Sequence, residues 1–244
     1  MIKPIHAIII GDEILSGKRK DKHLVYLSEK LTSLGLALSK ADFVPDDSDV
    51  IAETIKSKSD YIIFSFGGIG ATPDDCTRQA AAKAHNKKIV RNPEALKLIV
   101  DKFGDEAFPK RVMMSDIPAG AELIPNSINN IPGFFIGEHY FMPGFPEMSW
   151  PMIDWILTSR YEEELNNQIL DASVWIDGVP ESLLIDLMNE IAKDNPKVKI
   201  YSLPKLEPKI KVELGVKGSI LSAKKAIEQI KRSLSSMNYE WYEN

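Results

Sequence analysis

A single cysteine, Cys76, stands among 244 residues. No disulfide can form within the chain, and no cysteine-based zinc site can be assembled. No apolar run approaches the roughly 20 residues that cross a bilayer. The early run Ile8-Ile9-Ile10 lies between His6 and Asp12 and is too short for the apolar centre of a secretion signal. The chain therefore reads as cytoplasmic, with no membrane partner. Basic residues are the minority, 30 Lys and Arg against 35 Asp and Glu. Before Leu165 the count is 19 basic against 24 acidic, and from Leu165 onward it is 11 against 11. Nucleic-acid binding draws on clustered Lys and Arg that release counterions, so no nucleic-acid partner is expected. No Gly-Lys-Ser/Thr of a Walker loop follows the glycines, and there is no Gly-x-Ser-x-Gly elbow. Neither an internal repeat nor a low-complexity segment is visible.

What remains is the balance of an ordinary globular protein, 44% hydrophobic and 27% charged. Ile5 to Ile10 reads as a buried parallel strand, because such strands are covered on both faces and show no alternation. Leu24, Leu27, Leu31 and Leu34 recur at helical spacing before Gly35. A strand near 37–44 and a helix from Asp49, capped by Asp47 or Ser48, follow. Tyr61–Phe66 is the next strand, and a helix is expected from Thr72 to Ala84, with Thr72 as N-cap and Pro73 at the first position. Residues 93–103 read as helix and 118–132 as irregular. Phe134–Ile136 and His139–Met142 read as strands about a Gly137-Glu138 turn, ahead of a helix with Met148, Trp150, Ile153 and Ile156. The alternation argues for a mostly parallel α/β sheet. Beyond a polar boundary at 161–168 the order becomes β-α-β-β-α-β, a small α+β split-βαβ domain. Two domains, 1–160 and 165–244, are expected.

Three loops follow apolar strands: Gly11 to Gly17, Gly67 to Thr77, and Met142 to Met148. In an open α/β sheet, loops at the carboxyl ends of strands line the ligand crevice. Gly67, Gly68 and Gly70 free the backbone N–H groups to approach an oxyanion, next to a helix start that favours negative charge. A phosphate cradle and a plain tight turn both fit this pattern. Asp12, Glu13, Asp74 and Asp75 flank the proposed anion site. Carboxylates beside a phosphate call for a cation between them, and Mg²⁺-like ions take both kinds of oxygen. Helix capping for Asp74 and Asp75, and a solvated turn for Asp12 and Glu13, remain open alternatives. Lys18, Arg19 and Lys20 could hold further phosphates or form a solvated surface. His23 reads as a general base or as a polar helix residue; His6, His85 and His139 read as structural. Cys76 has no base paired with it in sequence.

Several of these stretches together resemble a known family. Gly11-Asp12-Glu13-Ile14-Leu15-Ser16-Gly17 comes first, then Gly67 to Thr77, then Pro118 to Asn126. Ile131-Pro132-Gly133-Phe134 and Met142-Pro143-Gly144-Phe145-Pro146-Glu147-Met148 continue the order. The chain is similar to the MoaB/Mog-like molybdopterin-binding domain in the form that opens CinA-type proteins, and its tail resembles the small α+β domain that follows there. The resemblance implies a three-layer α/β/α domain and a pocket for a pterin or nucleotide pyrophosphate. For CinA-type relatives it implies hydrolysis of ADP-ribose or a related dinucleotide pyrophosphate with a divalent cation (Mg, Mn or Co). For the molybdenum-cofactor relatives it implies binding or adenylation of molybdopterin. Carried over by motif, the ligand set is Gly11, Gly67, Gly68, Gly70, Thr72, Lys18, Lys20, Pro143, Gly144 and Glu147. Asp74, Asp75 and Glu13 would be catalytic, and Asp12, Asp74 and Asp75 would hold the metal.

Two departures stand out. CinA-type sequences usually carry Asp-Thr-Asn where this chain has Asp21-Lys22-His23, and Pro where it has Ala71. The nicotinamide-nucleotide deamidase domain of longer CinA proteins lies beyond these residues, and that activity is not expected. A non-catalytic module binding molybdopterin or a nucleotide, and a regulatory oligomer with a vestigial pocket, are the alternatives to a hydrolase. A homo-oligomer is expected. Gly215-Val216-Lys217-Gly218 has the G-x-x-G spacing of an RNA-binding KH loop, but it follows an apparent strand instead of joining two helices.

Overall fold

Six consecutive buried residues, Ile5–Ile10, form β1 in the computed structural model, which describes residues 3–161, 169–205 and 209–243. Internal contacts divide the chain into two units, Met1–Leu31 with Ala37–Glu164, and Thr32–Leu36 with Leu165–Asn244. The boundary expected at 161–168 lies, from residue 162 on, outside the described residues.

In the first unit β1 leads into a single turn α1 (Asp12–Leu15), then α2 (His23–Ser33), β2 (Leu38–Val44), α3 (Ser48–Lys56) and β3 (Ile62–Phe66). There follow α4 (Thr77–Ala84), β4 (Ile89–Arg91), α5 (Pro93–Phe103), β5 (Asp116–Pro118), β6 (Glu122–Ile124), β7 (Gly133–Ile136), β8 (His139–Met142) and α6 (Pro146–Arg160). The sheet order is β2-β1-β3-β8-β7-β6. The pairs β1–β2, β1–β3 and β3–β8 are parallel, while β7 pairs antiparallel with both β8 and β6.

Both faces of the parallel part are covered, which is why β1 carries no polar alternation. On one face Ile8, Ile10, Ile63 and Phe141 share a core with Ile51 and Ile55 of α3 and with Ala80 and Ala81 of α4. Each large apolar side chain so removed from water contributes roughly 1.5–3 kcal/mol. On the other side α2 and α6 are tied by stacked Tyr26 and Trp150 rings 4.5 Å apart, and by Lys30 to Asp154 at 2.8 Å. The mostly parallel α/β sheet read from the sequence is thus present.

Local readings hold where side-chain chemistry is self-contained. Asp47 caps α3, accepting from the N–H groups of Asp49 and Val50 at 2.8 and 3.0 Å. Asn92 caps α5, with Pro93 at its first position. Three readings need correction. The helix expected from Thr72 starts at Thr77, because Asp75 takes the Thr72 N–H at 2.8 Å and its hydroxyl, closing 72–75 into a turn of its own. Asp74 and Asp75 therefore cap no helix. The stretch 118–132 is not wholly irregular, since β6 lies within it and pairs with β7. Leu34 falls past the end of α2.

The second unit runs β9 (Ile169–Asp177), a 3-10 turn over Glu181–Leu184, α7 (Ile185–Asp194), β10 (Lys199–Lys205), β11 (Lys211–Ser219), α8 (Ile220–Ser236) and β12 (Trp241–Glu243). Its sheet, ordered β10-β11-β9-β12, is antiparallel throughout. Alternate residues Val212, Leu214 and Val216 pack with Leu187, Ile191, Ile227 and Ile230 of the two helices. Gly215 to Gly218 lie inside β11, where Gly215 leaves room for the Tyr201 ring, so they form no loop between helices.

Candidate functional site

Strand order decides whether the three loops can meet. Since β1, β3 and β8 are parallel neighbours, the loops after them emerge side by side. Backbone contacts fasten them: Gly67 N–H donates to the Met142 carbonyl at 3.0 Å, and Gly11 N–H to the Val44 carbonyl at 3.1 Å. Gly67 sits at φ 108°, and a Cβ there would stand 2.5 Å from the Ile10 carbonyl oxygen. A Cβ on Gly144 would come within 3.3 Å of the Gly67 Cα. Gly67 requires glycine, and Gly144 is tight against it, because the strand ends converge there.

Around this point lies a cavity of about 730 Å³, within the size range of small-molecule sites. Among its lining residues are Gly11, Glu13, Lys20, Gly67, Gly68, Gly70, Thr72, Asp74, Asp75, Pro143, Gly144 and Glu147, all named from the sequence. Asp12 and Lys18 do not line it; Asp12 opens the single turn α1 and Lys18 follows that turn. Arg19 lines it instead, 3.7 Å from Glu13.

The glycine loop is wired with its carbonyls occupied. Thr77 donates its hydroxyl to the Gly67 carbonyl at 2.9 Å and its N–H to the Gly68 carbonyl at 2.9 Å. Arg78, only 2% exposed, donates to the Gly70 carbonyl at 2.6 Å and to the carbonyls of Met113 and Asp116. Burial lowers the Arg78 guanidinium from its ordinary value, with Asp75 and Asp116 opposing. With these carbonyls turned inward, the N–H groups of Gly68, Ile69, Gly70 and Ala71 donate to no other described residue. Amides left unpaired in a glycine turn are the kind of donors that oxyanion sites use.

Acidic groups crowd the same rim. Asp46, which the sequence reading passed over, lines the cavity and accepts from Asp12 N–H at 3.0 Å. Burial pushes its carboxyl above the ordinary carboxylate value, and the charges of Asp12, Glu13 and Asp74 add to this against the Asp12 hydrogen bond. Asp74 is held below its ordinary value by the nearby Thr72 side chain and its own backbone N–H. A carboxylate raised by burial and by neighbouring negative charge, as Asp46 is, is the kind of oxygen donor a hard divalent cation relieves. Among the described residues, however, no three His, Cys, Asp or Glu side chains already converge as a metal site.

One wall is formed by Asp21 and His23. Asp21 opens α2, accepting from the N–H groups of His23 and Leu24 at 3.0 Å each and meeting His23 Nδ1 at 2.9 Å. Burial works to raise the Asp21 carboxyl, but these three hydrogen bonds outweigh it and hold the group below its ordinary value. The His23 ring packs on Phe66 with centroids 4.7 Å apart. Asn126 and Asn129 complete the opposite side, joined at 2.7 Å.

Comparison with known proteins agrees with this architecture. Residues 6–163 match the family described as "Probable molybdopterin binding domain". A protein of Archaeoglobus fulgidus is 31% identical over 201 residues, covering 81% of this chain and 84% of that one. A CinA-like protein of Desulforapulum autotrophicum is 33% identical over 80% of this chain but only 50% of its own length. The solved structure of CinA, a protein of unknown function from Thermoplasma acidophilum, superposes with a TM-score of 0.58 at 26% identity. That match covers 67% of this chain and 99% of that one. No described helix is long and apolar enough to cross a membrane.

Proposed function

Since the chain belongs to the molybdopterin-binding domain family, with CinA-like relatives, we propose that its cavity binds the pyrophosphate of a nucleotide and, with a divalent cation, hydrolyses it. ADP-ribose is the substrate to test first. The observation that carries this reading is the glycine loop, whose carbonyls are bound by Thr77 and Arg78 while its amides meet no acceptor among the described residues. Lys20 and Arg19 would neutralise further phosphate charge. Glu13, Asp46, Asp74 and Asp75 would hold Mg²⁺, Mn²⁺ or Co²⁺, with Asp12 at the rim. Such an ion supplies charge neutralisation and a more acidic water.

Purified protein given Mg²⁺, Mn²⁺ or Co²⁺ and ADP-ribose should release AMP, and Asp74→Ala should lower the rate on the order of 100-fold or more, as for loss of a key electrostatic group. Absence of AMP with every ion overturns the hydrolase. A second reading, a non-catalytic module holding molybdopterin or a nucleotide, is favoured by the absence of a ready-made metal group among the described residues. It predicts thermal stabilisation by ligand with no product. Lack of any shift with nucleotide or pterin favours the vestigial pocket.

A further inference from the structure

The cavity wall holds one buried polar side-chain atom without a hydrogen-bond partner among the described residues. His23 is 6% exposed and lines the cavity, yet its Nε2 is buried and has no hydrogen-bond partner among the described residues. The other nitrogen is committed, since Nδ1 lies 2.9 Å from Asp21 Oδ1. A carboxylate accepts only, so Nδ1 carries the proton of the neutral ring. In the neutral ring Nε2 is then the acceptor, and a buried acceptor left unpaired is a cost that a ligand or water removes.

The identity of the group it meets follows from this tautomer. His23 packs on Phe66, the residue before the glycine loop, which places it next to the oxyanion cradle. The oxygens of a pyrophosphate diester carry no hydrogen at neutral pH and cannot donate to Nε2. The nearest donors in a nucleotide pyrophosphate are the hydroxyls of the sugars that flank it.

We propose that Asp21 and His23 form a sugar-recognition dyad: Asp21 is the positioning residue, and His23 Nε2 accepts a hydrogen bond from a ribose hydroxyl of the bound nucleotide. The inference rests on the reading of the cavity as a nucleotide pyrophosphate site, and it adds a sugar-specific contact to the phosphate-specific loop. It also gives a role to the departure at Asp21-Lys22-His23, because the ring supplies an acceptor held in place by Asp21.

The test uses the full chain without metal, so binding is read apart from turnover. His23→Leu keeps apolar bulk against Phe66 and removes only the ring nitrogens. It should weaken ADP-ribose binding about tenfold, the scale of one lost hydrogen bond, and leave inorganic pyrophosphate binding unchanged. Asp21→Asn should lie between parent and His23→Leu. In the parent, the ¹⁵N resonance of His23 Nε2 should move when ADP-ribose saturates the protein and stay in place with pyrophosphate. Equal weakening of both ligands assigns the contact to phosphate and overturns the dyad while leaving the function intact. Unchanged ADP-ribose binding in His23→Leu overturns the dyad alone, and no binding of either probe to the parent overturns both. Should His23→Leu fail to fold, the parent resonance decides: an unmoved Nε2 at saturation ends the proposal.

Discussion

The two ends of the six-stranded sheet each bury a histidine, and they treat it in opposite ways. At the amino end His139 is 5% exposed and opens β8. Its Nδ1 meets His85 Nε2 at 3.0 Å, and the backbone of Ser59 and Tyr61 reaches the same ring. Beside it Lys3 pairs with Glu138, and the hydroxyls of Tyr140 and Tyr161 bond each other at 2.9 Å. At the carboxyl end His23 is equally buried, but its Nε2 and the loop amides have no partner among the described residues, and Asp46 sits among the charges of Asp12, Glu13 and Asp74. The difference teaches that burial alone does not mark function. A buried polar group whose partners are all present is structure, and one with a partner missing beside a cavity is a site in waiting.

The comparison is broken most severely at Arg78, the one buried guanidinium that holds the open end in shape. Arg78→Met leaves the carbonyls of Gly70, Met113 and Asp116 without their donor. A loss of about 3–5 kcal/mol in folding free energy is expected, as for a buried charge network that loses one member. Denaturant midpoints measure it, and ADP-ribose affinity should fall in whatever fraction remains folded. A change below about 1 kcal/mol would mean that the loop is held by something else.

At the closed end the expected effect is a pH dependence. Burial, joined by the charges of His85 and Lys3, pushes His139 down from 6.5 to about 4. The folded protein therefore keeps the ring neutral while the unfolded chain protonates it near the ordinary value. The sign follows: this contribution to stability is fully present above about 6.5 and is lost as pH falls toward 4, to a total of about 3 kcal/mol. Unfolding measured from pH 7 to pH 4 should show His139→Asn losing less stability than the parent. Parallel curves for the two proteins would contradict the burial of an uncharged ring.

Much of this contrast could be read before the fold was known, and the rest could not for identifiable reasons. The apolar runs of β1 and β3 and the glycine loops after them are local signals, so the strand ends and most cavity residues were legible. Their convergence was not, because it depends on β1, β3 and β8 being neighbours, which no short-range pattern states. Thr72-Pro73 has the composition of a helix start, yet Asp75 claims the Thr72 donors and moves that start to Thr77. Asp46 was missed because it stands beside Asp47, one of the two residues read as the cap of the following helix, and in no glycine loop. Asp47 does the capping, which leaves Asp46 free to turn to Asp12. For Asp12 and Lys18 the motif gave the right loop, but one turn of α1 decides which side chains face inward. His23 was weighed as a base or a helix residue; only the missing partner of Nε2 separates the two.

The smallest effect sharpens the comparison most, because it asks whether the closed end is closed by pairing. Tyr140 and Tyr161 are 0% and 5% exposed, and their hydroxyls are each other's partners. Burial, and then the Tyr140 hydroxyl, raises the Tyr161 phenol above its ordinary value, so that group stays neutral through the working range. Tyr161→Phe strands the Tyr140 hydroxyl and should cost about 1–2 kcal/mol, whereas replacing both tyrosines by phenylalanine removes the orphan as well. A thermal or chemical double-mutant cycle should then show the double variant no less stable than the single one. At the open end His23→Leu, which strands no hydrogen-bonding group except Asp21 on its two remaining backbone donors, should melt close to the parent. If the two tyrosine substitutions are instead additive, the hydroxyls do not depend on each other, and the amino end is not closed in the sense argued above.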